Sequence, residues 1–175
     1  MIRKILLAYD GSDNGRRALD VASELATKLE ADLYIVHVLM HGHPAEEMVR
    51  MAEVEHIAEH VQRAVTPPPT YATAGAFELF SASEDSLGAM RVTAALGDQL
   101  LAYARSFAEE QGAQNVQTAT RNGDYADQIL DAAEAQEADL IVLGSRGLGK
   151  IRGAVMGSVS QKVLHHAAQT VVAVK

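Results

Sequence analysis

A chain of 175 residues, 48% hydrophobic and 22% charged, is long enough to bury one sizeable core and lies outside the disordered class. It has no cysteine, which excludes disulfides, thiolate catalysis and Cys-based zinc sites and fits a reducing compartment such as the cytoplasm. The formal net charge of -8 sets the surface against phosphate backbones, so nucleic acid is not an expected partner and any phosphate must be held by local donors.

Ile2 to Tyr9 is an apolar run that ends in Asp10-Gly11-Ser12, the pattern of a buried strand followed by a turn. It is too short for a signal-peptide core, and no stretch reaches the roughly 18–20 apolar residues a membrane span requires. Ala18, Leu19, Ala22, Leu25, Ala26 and Leu29 recur at spacings of three and four, which predicts an amphipathic helix over 14–29. Leu33 to Met40 is a second strand. Residues from about 41 to 88 differ in texture. A charged stretch with helical spacing runs from Pro44 to Val65, Pro67-Pro68-Pro69 stops it, and small polar residues follow. This segment is too short and too polar to carry a core, so it is expected to be a surface insertion in a single domain spanning 1–175.

Regular patterning resumes with a helix from about Ala89 to Gln111, a strand from Asn115 to Thr120, a turn at Arg121-Asn122-Gly123-Asp124 and a helix over 125–135. Leu140 to Leu143 is an apolar strand, 158–168 a helix, and Thr170 to Val174 a last strand. Strands separated by helices run parallel, and right-handed crossovers give an α/β, doubly wound, five-stranded parallel sheet with helices on both faces. Ligands of such sheets lie beyond the carboxyl ends of strands where the strand order reverses, which points to the loops at Asp10 and Gly144.

The second of these loops is rich in glycine, with Gly144, Gly147, Gly149, Gly153 and Gly157 between an apolar strand and a helix. Glycine lets backbone amides approach an anion closely, and the helix start adds free amides and a positive dipole end. Arg146, Lys150 and Arg152 bring local positive charge. Two familiar phosphate-loop patterns fail here. Gly144 to Lys150 spells G-x-x-x-x-G-K, but Ile151 stands where a P-loop needs Ser or Thr. Gly153 comes one residue late for the dinucleotide fingerprint, which belongs after a first strand.

Gly144-x2-Gly147-x9-Gly157-Ser158 resembles the G-x2-G-x9-G-[ST] signature of ATP-binding universal stress proteins. The resemblance extends to Asp10-Gly11-Ser12, to Gly123-Asp124 before Ile129, to Ala138-Asp139-Leu140-Ile141-Val142 and to Thr170-Val171-Val172-Ala173-Val174. It implies a Rossmann-like sheet similar to the adenine nucleotide alpha hydrolases, with ATP over the strand ends. Gly144, Gly147, Gly157 and Ser158 would contact phosphates and ribose, and Val159 and Ser160 would continue that contact. Arg146 would pair with phosphates and Asp10 would sit near the adenosine. Ala8 and Val38 would line the adenine site, with Leu143 beside the motif completing the set. Magnesium or manganese would be held through the phosphates. The resemblance further implies a homodimer through the strand at 170–174 and a protein partner that the sequence does not identify.

Other candidates carry blander readings. Asp10 is also placed to cap the following helix together with Ser12. His56-Ile57-Ala58-Glu59-His60 spells H-x-x-E-H, two helical His on one face, yet the charge-rich context favours a solvated surface over a zinc site. His165 and His166 sit where they complement a helix dipole. Rapid phosphoryl transfer needs a positioned base and strong metal ligation, and the motif offers serines and cations only. A nucleotide-dependent regulatory protein with at most slow ATP hydrolysis is therefore the expected function. An ATP-dependent enzyme on the same fold and a metal-binding protein using the His-rich segment are the alternatives.

Overall fold

The computed structural model describes residues 1–39, 86–148 and 156–175. Among them strands and helices alternate as β1 (Lys4–Ala8), α1 (Asp13–Leu29), β2 (Asp32–Leu39), α2 (Ser86–Glu110), β3 (Val116–Asn122), α3 (Tyr125–Ala135), β4 (Leu140–Gly144), α4 (Ser158–His166) and β5 (Thr170–Val174). The strands form one five-stranded sheet in the order β3-β2-β1-β4-β5. Every pairing is parallel. The doubly wound α/β sheet expected from the pattern is the fold observed.

Alternation along β1 divides the core in two. Ile5, Leu7 and Tyr9 join a cluster with Ala18, Leu19, Ala22 and Ala26 of α1 and Leu96, Leu100 and Ala104 of α2. Leu6 faces the other way, with Val36, Val38, Ile141 and Leu143, against Ala126, Ile129 and Ala133 of α3 and Val163 of α4. Both faces of the central strands are thus covered, which is why their sequences are continuous apolar runs.

Element ends differ from the expected ones by small amounts with local causes. Helix α2 begins at Ser86, inside the segment read as an insertion; the rest of 41–88 lies outside the described residues. His56, His60, Lys150 and Arg152 lie there or between 149 and 155, also outside them. Strand β3 runs on through Arg121 and Asn122, which pair with Val38 and Leu39. The turn falls to Gly123, whose φ of 145° suits glycine and whose N–H donates to the Leu39 carbonyl at 2.9 Å.

The strand order reverses at β1, which pairs with β2 on one side and β4 on the other. Asp10 and Gly144 follow β1 and close β4, so the two loops singled out by composition meet at the switch point.

Candidate functional site

Asp10 forms one side of this junction. Its Oδ1 accepts from the Ser12 N–H at 3.0 Å and the Ser12 Oγ at 2.7 Å. Ser12, in extended conformation, is the N-cap of α1, and its Oγ accepts from the Gly15 N–H at 3.0 Å. The cap is therefore Ser12 alone, and Asp10 braces the cap. Glycines stand on both sides of the Asp10 carboxyl. A Cβ at Gly15 would lie 2.5 Å from Oδ1, and one at Gly147 would lie 2.5 Å from Oδ2. Burial raises the Asp10 pKa above the ordinary carboxylate range, against the opposing pull of the two Ser12 hydrogen bonds.

The other side is the stem of the glycine segment, closed by Ser145. The Ser145 N–H donates to the Val174 carbonyl at 2.6 Å, and its own carbonyl accepts from the Gly157 N–H at 2.7 Å. Its buried hydroxyl accepts from the Asn14 side-chain amide at 3.1 Å, joining the stem to the first turn of α1. Ser12 Oγ reaches the Arg146 carbonyl at 3.4 Å, a second link between the two sides. Ser160, expected to touch a ligand, is buried and donates its hydroxyl to the Gly144 carbonyl at 2.8 Å, so that group fixes the stem.

The three signature glycines differ in what requires them. A Cβ at Gly144 would lie 2.9 to 3.0 Å from the backbone of Asn14, Gly15 and Arg146, where nothing can give. Gly147 has no room because of Asp10. Gly157 is different: its nearest neighbours among the described residues would be Arg146 Cα at 3.5 Å and the Ser145 oxygen at 3.6 Å, ordinary contacts. Its φ of -78° is open to any residue.

Gly157 is the N-cap of α4 and supplies no side-chain hydrogen bond, whereas α1 and α3 are capped by Ser12 and Asp124. The start of α4, at Ser158 and Val159, therefore presents amides and a positive dipole end without a side-chain cap among the described residues. Ser158 is exposed, and exposed Arg146 forms no ion pair among the described residues. Ala8 is half-buried at the end of β1, while Val38 and Leu143 are buried on the same face of the sheet. A helix start of this kind can take an anion. Sequence reasoning missed Gly15 and Asn14, which no local pattern distinguishes from ordinary first-turn residues.

The universal stress protein family model matches residues 1–175. The chain belongs to the universal stress protein family. A curated relative, universal stress protein YxiE of Bacillus subtilis, is 30% identical over 170 residues, covering 93% of this chain and 92% of YxiE. Among solved structures, UspA from Lactobacillus plantarum superposes with a TM-score of 0.69 at 22% identity, covering 99% of this chain and 98% of UspA. A universal stress protein in complex with cAMP gives 0.62 at 22% identity, covering 99% and 97%. The Archaeoglobus fulgidus protein in complex with dAMP gives 0.58 at 21%, covering 100% and 98%. Identities this low carry the fold alone.

Proposed function

We propose that this universal stress protein binds ATP at the β1–β4 switch point and acts as a nucleotide-dependent regulatory protein. The observation that carries the reading is the uncapped start of α4 behind Gly157, a glycine that nothing in the described packing requires. Phosphates would lie against the amides of α4 and the 144–147 stem, with Arg146 beside them, and the base over Ala8 and Val38. Family members solved with cAMP and dAMP support an adenine nucleotide as the ligand. No group of three or more His, Asp or Glu able to hold a metal occurs among the described residues, so Mg2+ or Mn2+ would be carried by phosphate oxygens.

Hydrolysis is slow at most in this reading. The Asp10 carboxyl is engaged by Ser12 and flanked by two glycines, a setting that positions a ligand rather than activating water. The outer edge of β5, which pairs only with β4 among the described strands, supports a homodimer through 170–174; in this reading the protein acts in the cytoplasm. No helix among the described residues is long and apolar enough to cross a membrane.

Calorimetric titration with ATP tests the proposal, comparing the natural chain with Gly157→Val. Gly144 is unsuitable for this purpose because its Cβ would strike backbone. One ATP per natural chain, lost in a Gly157→Val protein that still melts cooperatively, is the expected result. Absence of ATP binding by the folded natural chain refutes it.

A further inference from the structure

Arg121 lies near the end of β3, in register with Val38 of β2. The residue before it, Thr120, turns to α2, where its hydroxyl meets Asp98 Oδ1 at 3.5 Å. Alternation sends Arg121 to the other face, the one that carries Val38, Val36, Ala8 and Leu6. The side chain is half-buried, and no acceptor engages its guanidinium among the described residues. The acids that follow it in sequence are already taken. Asp124 accepts from the Ala126 and Asp127 amides and from Lys162, and Asp127 also pairs with Lys162.

A guanidinium partly withdrawn from water without an acceptor is unfavourable, and it carries a flat face and five donors. Its position decides what it meets. Three strand spacings separate β3 from β4, about 14 Å in all, so Arg121 is remote from the phosphate-binding stem and adjacent to Val38. We propose that Arg121 closes the base end of the site by lying on the purine ring of the bound nucleotide. This rests on the reading that the nucleotide lies over Ala8 and Val38. The ring supplies the π face that the guanidinium lacks among the described residues.

The test is calorimetric titration of the natural chain, Arg121→Met and Arg121→Lys with ATP and with AMP, at low and high salt. Arg121→Met keeps the aliphatic stem and removes the unpartnered cation, so the free protein should melt no lower than the natural chain does. Loss of the stacked cation weakens ATP and AMP by the same factor, about five- to thirty-fold, at both salt concentrations. Lysine restores little of it because it has no planar face. Unchanged affinities in Arg121→Met overturn the proposal. So does a loss that is larger for ATP than for AMP and fades with salt, or full recovery by lysine, since each marks a general charge effect. Failure of the natural chain to bind either nucleotide overturns the site itself, a result distinct from all of these.

Discussion

Replacing Gly147 by alanine places a methyl carbon 2.5 Å from Asp10 Oδ2, well inside contact distance. Asp10 has no easy retreat. Its Oδ1 is held by two Ser12 donors at 2.7 and 3.0 Å. Either the 145–147 stem moves outward, straining its links to Asn14 and Ser12, or Asp10 gives up its hydrogen bonds. Overpacking of this kind costs about 1–3 kcal/mol, and a hydrogen bond to a charged group is worth about 1.5–3 kcal/mol. The expected destabilisation is therefore about 2–3 kcal/mol, which for a domain of this size lowers Tm by about 4–12 °C. Thermal melts of Gly147→Ala, Asp10→Ala and the double variant measure it. Removing the Asp10 carboxyl first relieves the clash, so the double variant should recover about 1–3 kcal/mol relative to the sum of the singles. Additive effects, or a Gly147→Ala melt within a degree of the natural chain, would refute the claim that Asp10 dictates glycine at 147.

Two further outcomes follow from the same region. The Tyr9 hydroxyl is buried with no hydrogen-bond partner among the described residues, so Tyr9→Phe should raise stability by about 1 kcal/mol in a denaturant titration; a loss would show that the hydroxyl is satisfied. Asp10→Asn should stabilise the free protein while weakening ATP binding. With its pKa raised by burial, the Asp10 contribution is fully present below the ordinary carboxylate value and is lost as pH rises through the folded one. The stability advantage of the Asp10→Asn variant over the natural chain should therefore widen from acid toward neutral pH, and an advantage that narrows would contradict that sign.

Much of the fold was legible because its cause is local. Apolar runs at 2–9, 33–40 and 140–143 marked strands covered on both faces, and the three-and-four spacing from Ala18 to Leu29 marked α1. The end of β3 was harder, since Asn122 is turn-prone and it and Arg121 are held extended by pairing with Leu39 and Val38. The start of α2 at Ser86 falls in a small-residue stretch with weak periodicity. In the candidate site, the spacing of Gly144, Gly147 and Gly157 was visible, as was the placing of Asp10 opposite it by the reversal of strand order. Their reasons for being glycine were not visible. Gly147 answers to Asp10 and Gly144 to the backbone of Asn14 and Gly15, contacts made between parts of the chain far apart in sequence. Ser160 carried the opposite ambiguity: a hydroxyl at a helix start suits a ligand, and only the folded chain shows it bonded to Gly144.

The links between the two sides of the site join Asn14 to Ser145 and Ser12 to Arg146, positions separated by 131 and 134 residues. They also require β4 to lie beside β1, so the site exists only once these distant parts of the chain have docked. A ligand held there recognises the finished fold and nothing earlier, and its binding free energy is charged in full against global unfolding. Nucleotide at a hundred times its Kd should then protect the whole domain by about 2.7 kcal/mol, a rise of about 5–11 °C in Tm. Melting temperature becomes a direct gauge of occupancy for every nucleotide tried.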